Sequence, residues 1–81
     1  MITTELAEHT DLTAMQAEYK IAVEQWINAI RAEEALASVH PTLAQVDDWE
    51  EAHFAEEEAR NKAKKAKQHY EDAIRQAFFG F

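Results

Sequence analysis

One proline and one glycine punctuate the whole chain, Pro41 at its midpoint and Gly80 beside its end. Strands joined by tight turns use both residue types repeatedly, so an all-β or α/β fold is a poor fit. What remains is two long helices separated at the proline. Pro41 biases His40 away from helical geometry and suits the first turn of a new helix. The segment Ser38-Val39-His40-Pro41-Thr42 is therefore the break. Helix one is expected over about residues 4–38, most clearly from Asp11 to Ala37, with Ile2 and Leu6 fitting a looser extension. A bend over 39–42 leads into helix two, about 43–79. Thr42 with Gln45 can cap its start in a capping box, and Asp47 with Glu50 offers the same pattern. Gly80 stands where a left-handed cap ends a helix. The expected fold class is all-α: one domain over 1–81, an antiparallel two-helix hairpin.

The inner faces of the two helices differ in size. Helix one carries Leu12, Met15, Tyr19, Ala22, Val23, Trp26, Ala29 and Ile30, and the steps 12, 15, 19, 22, 26, 29 are heptad steps. Helix two carries Ala52, Ala55, Ala59, Ala63, Ala66, Tyr70, Ala73 and Ala77 at spacings of three and four. Large side chains against methyl groups fill the space between two helices without voids. An antiparallel pairing brings Leu12, Met15 and Tyr19 near Tyr70, Ala66 and Ile74.

The stripe on helix one spans about 160° at 100° per residue, wider than a two-stranded seam. Trp49, Phe78 and Phe81 add to it at the edge of the alanine face. A lone hairpin this small leaves such a surface wet and is marginally stable. Two hairpins making a four-helix bundle are the expected remedy. The expected interface residues are Leu12, Met15, Tyr19, Val23, Trp26, Ile30, Trp49, Tyr70, Ile74, Phe78 and Phe81. The expected partner is a second copy, with a different protein as the alternative. Ile21, Phe54 and Phe79 point away from the inner stripes.

A net charge of −8 works against binding a phosphate backbone. On helix two, Glu50, Glu51, Glu56, Glu57 and Glu58 precede Arg60, Lys62, Lys64, Lys65 and Lys67. Glu56–Arg60, Glu58–Lys62 and Glu71–Arg75 are expected as i,i+4 pairs. The lysines point in different directions with no interleaved aromatic residues, so a solvated surface is expected and no nucleic acid. The absence of cysteine excludes disulfides and thiolate metal sites. The first residues lack a signal-peptide pattern, and no apolar run spans a membrane. A cytoplasmic location is the default expectation.

The one chemical constellation is Glu50-Glu51-Ala52-His53, in which Glu50 and His53 have the Glu-x-x-His spacing of four-helix di-iron proteins. Glu33 and Glu34 fall within helix one's apolar sector near the bend and could complete such a site. This motif and the hairpin plan resemble encapsulated ferritins. The resemblance implies a metal-binding four-helix bundle with Glu33, Glu34, Glu50 and His53 as ligands. The bottom-up reading places His53 at the core edge beside Trp49, with the glutamates in water. WXG-type secreted hairpins have a similar plan, but their Trp-x-Gly turn has no counterpart at Val39-His40-Pro41-Thr42. There is no Gly-rich phosphate loop, no HExxH and no serine in a nucleophile setting. The expected function is a non-catalytic protein–protein interaction or regulatory module acting as a homodimer without a cofactor. The metal-binding bundle is the alternative.

Overall fold

The computed structural model describes the backbone of residues 2–80 and the side chains of residues 12–80. Two helices make up the fold, α1 (Ile2–Ala35) and α2 (Leu43–Phe79), packed against each other as a hairpin. The hairpin is a rod of 63 × 19 × 14 Å with a radius of gyration of 18.3 Å. A compact globule of this length has a radius near 12 Å. The elongation follows from helices of 34 and 37 residues with no third element to fold across them.

Both ends of α2 are set by local chemistry. The Thr42 hydroxyl accepts from the Gln45 backbone N–H at 3.2 Å, and the Gln45 side chain accepts from the Thr42 N–H at 2.8 Å. This reciprocal box selects the first of the two starts that the sequence allows. At the other end Gly80 takes φ 76°, and its N–H donates to the Gln76 carbonyl at 3.2 Å. That is the left-handed cap expected of the only glycine.

Helix α1 stops at Ala35, short of the expected residue 38, so the bend covers 36–42. The Leu36 and Ala37 N–H groups donate to the Glu33 and Glu34 carbonyls at 3.1 and 3.0 Å. These i→i−3 bonds tighten and end the last turn. The Ser38 hydroxyl then accepts from the His40 N–H at 3.2 Å, offering the backbone an alternative to helix.

The core is a seam of small residues. Ala22 and Ala63 are 8% and 4% exposed and are the buried apolar residues among those described. Around them Leu12, Met15, Tyr19, Trp26 and Ala29 of α1 are half-buried against Ala52, Ala59, Ala66, Tyr70 and Ala73 of α2. The Tyr19 and Tyr70 rings lie 6.2 Å apart, and Leu12 shares a groove with Tyr70 and Ile74, as antiparallel pairing predicts.

The alanine ladder is corrected in one respect. Ala55 and Ala77 are exposed, while Glu56 takes the place between Ala52 and Ala59. The steps 52, 56, 59, 63, 66, 70, 73 alternate four and three without interruption, which keeps one narrow line facing α1. Residues 55 and 77 fall beside that line.

Candidate functional site

The bend half of the seam is where polar groups enter. The heptad line of α1 continues from Ala29 to Glu33, and that of α2 runs through Glu56, so each helix places a carboxylate where its apolar neighbours pack. Trp26 donates its indole N–H to Glu56 Oε1 at 3.3 Å. An indole N–H packed in a seam needs such an acceptor. One turn toward the bend, Glu33 Oε1 lies 3.8 Å from His53 Nδ1, and Glu57 Oε1 lies 3.4 Å from His53 Nε2. The His53 ring stacks on Trp49 at 5.4 Å with an interplanar angle of 5°. Trp49 and His53 are i,i+4 on α2, which puts one ring over the other.

This geometry sorts the four residues of the metal reading. Glu33 and His53 come together, with side chains 23% and 40% exposed. The side chains of Glu34 and Glu50 are exposed and make no hydrogen bond or ion pair within the described residues. His53 uses Glu57, at i+4, in place of Glu50 at i−3. Glu33 and Glu57 approach different ring nitrogens, so their oxygens do not converge on one coordination point. Among the described residues, no three His, Asp or Glu side chains come together in a group that could hold a metal ion.

Helical rotation puts Glu56 nearer the core than Glu50, but sequence reasoning did not give it a place in the α2 line, nor single out Glu57 as the partner of His53. Extending each heptad through its acids, rather than stopping at the last alanine, finds the first. The expected i,i+4 pairs on α2 are absent from the described residues. Glu56 is taken by Trp26, and Arg75 pairs with Asp72 at 3.2 Å instead of Glu71. Asp72 also accepts from Gln68 at 2.9 Å, which fixes its carboxylate toward Arg75. Exposed pairs contribute so little that a better-placed acceptor displaces them.

Much of the apolar surface stays open. Ile27 and Ile30 are each 40% exposed, Trp49 38% and Phe78 73%. Ile21, Phe54 and Phe79, expected to point outward, are 53%, 64% and 67% exposed. Of the expected interface residues, Leu12, Met15, Tyr19, Val23, Trp26, Tyr70 and Ile74 are half-buried within the hairpin itself. Phe81 lies outside the described residues. No described helix is long and apolar enough to cross a membrane. No protein-family model matches the chain, and no curated protein or solved structure matches it significantly.

Proposed function

We propose that the protein is a small non-catalytic interaction or regulatory module that works as a homodimer, two hairpins forming a four-helix bundle. The observation that carries this reading is the mismatch between apolar content and burial. The chain is 47% apolar, yet no described side chain larger than alanine reaches full burial. Its accessible surface is 6604 Å². A folded monomer of this mass exposes about 5,000 Å², so the hairpin carries roughly 1,600 Å² in excess. A standard interface takes about 800 Å² from each partner. A standard-sized contact with a second copy thus covers about half of that excess, and the larger interfaces typical of obligate homodimers cover more of it. The net charge of −8 keeps such a dimer soluble and fits a cytoplasmic protein.

Sedimentation equilibrium and native mass spectrometry on untagged protein test the reading. The expected species has twice the 9.3 kDa chain mass, and its melting temperature rises with protein concentration. A folded monomer whose melting is independent of concentration across the micromolar range would refute it.

A further inference from the structure

The two broad faces of the hairpin are not alike. Antiparallel helices are related by a two-fold perpendicular to the pair, so rotating the same way from each seam reaches one common face. At 100° per residue, one face collects Val23, Ile27 and Ile30 from α1 with Val46, Trp49 and Phe78 from α2. The opposite face collects Ala14, Ala32 and Ala55, with Ile21 and Phe79 as its large apolar side chains among the described residues. More of the large apolar groups left open therefore lie on the first side, with Phe54 pointing directly away from the seam. A shallow depression lined by Tyr19, Lys20, Val23 and Glu24 belongs to the same side.

Charge on that side is arranged symmetrically. Residues 47–58 of α2 carry seven acids and no lysine or arginine, and residues 60–67 carry five of the chain's eight cations. Arg60, Lys62, Lys64, Lys65 and Lys67 make no ion pair among the described residues. On the apolar side, Glu57 and Arg60 are centred between Glu58 and Ala59, and Glu50 and Lys67 share that centre. On α1, Lys20 and Glu34 are centred on Ile27. The Trp26–Glu56 bond and the Tyr19–Tyr70 contact put Ile27 within about a turn of Glu58 along the rod.

We infer that a second copy docks on the Val23–Ile27–Ile30–Trp49 face about a two-fold axis that crosses α1 at Ile27 and α2 between Glu58 and Ala59. This rests on the homodimer reading and adds its face and register. The axis runs across the rod, so α1 lies antiparallel on the partner's α1 and α2 on the partner's α2. Glu57 then meets the partner's Arg60, Glu50 the partner's Lys67, and Lys20 the partner's Glu34. Ile27 meets its own copy in the middle. One axis satisfies all three charge relationships, and it sets the unpaired cation block against the acid block.

Two charge-reversed chains test this. One carries Glu50→Lys and Glu57→Lys, the other Arg60→Glu and Lys67→Glu; native mass spectrometry follows each alone and mixed. Each alone should self-associate at least tenfold more weakly than the parent, and the mixture should give the heterodimer at close to parental affinity. A parent dimer whose variants both dimerise unchanged, or whose mixture gives no heterodimer, overturns the face and register while leaving the homodimer reading standing. A monomeric parent removes both. Because the chain has no cysteine, Ile27→Cys and Ile21→Cys supply a second readout that does not depend on the charge variants folding. A short thiol cross-linker should join Ile27→Cys chains and leave Ile21→Cys chains single. The reverse result places the interface on the alanine face.

Discussion

Trp26 and Glu56 meet across the helical seam, the indole N–H 3.3 Å from the carboxylate oxygen. The contact joins the largest side chain of the α1 stripe to the acid that interrupts the alanine line of α2. It also fixes how far one helix is slid along the other, because a shift of one turn would bring Ala52 or Ala59 opposite the indole and leave its N–H without an acceptor.

Glu56→Ala should therefore destabilise the protein by about 1 kcal/mol, the usual net loss when a partly buried donor loses its acceptor. Glu56→Gln keeps a carbonyl acceptor and should cost less. Urea denaturation of both variants, with Trp26→Phe completing a double-mutant cycle, measures the coupling. A cycle that closes at zero would show that the seam does not depend on this bond.

The phase of the α2 seam can be tested by size. Ala63 is 4% exposed, whereas Ala55 is exposed. Ala63→Leu should overpack the seam and cost about 1–3 kcal/mol, while Ala55→Leu should stay within about 0.5 kcal/mol of the parent. Thermal melts at matched protein concentration distinguish them. Equal effects would mean that residue 55 faces α1 as closely as residue 63 does.

Thr42→Ala removes the acceptor of the 3.2 Å bond from the Gln45 N–H. The loss should be about 1 kcal/mol, typical of an N-cap. Hydrogen exchange should accelerate at residues 43–46 before it does in the middle of α2. Protection there that is unchanged would assign the start of α2 to packing instead of capping.

Gly80 has φ 76° with nothing within 4 Å of the position a Cβ would occupy. Its replacement is limited by backbone strain, not by crowding. Gly80→Ala should cost about 1 kcal/mol, and Gly80→Asn distinctly less, because asparagine tolerates the left-handed region. Equal melting of the two variants would indicate that the cap conformation contributes nothing.

The hairpin was legible because its signals are local and redundant. Pro41 cannot continue a helix at His40, Gly80 suits a left-handed cap, and alternating steps of three and four place Leu12, Met15, Tyr19 and Trp26 on one side. The antiparallel match of Tyr19 with Tyr70 follows from helix lengths and a short connection. The candidate site was less legible. Glu33 was placed in the apolar sector and His53 beside Trp49, but Glu50 was the acid set beside His53, where the structure brings Glu57. Rotation along one helix treats i−3 and i+4 as near equals, so spacing alone does not choose between them.

Sequence alone determined the two helices, the glycine cap, their antiparallel order and the small-against-large character of the seam, since each depends on neighbours within a turn or on one repeating period. The packed structure decided what no single-helix pattern encodes. It set the slide between the helices, gave Glu56 to Trp26 instead of Arg60, and split the two nitrogens of His53 between Glu33 and Glu57. These are choices among groups of nearly equal local merit, and they are settled by which partner the other helix brings within bonding distance.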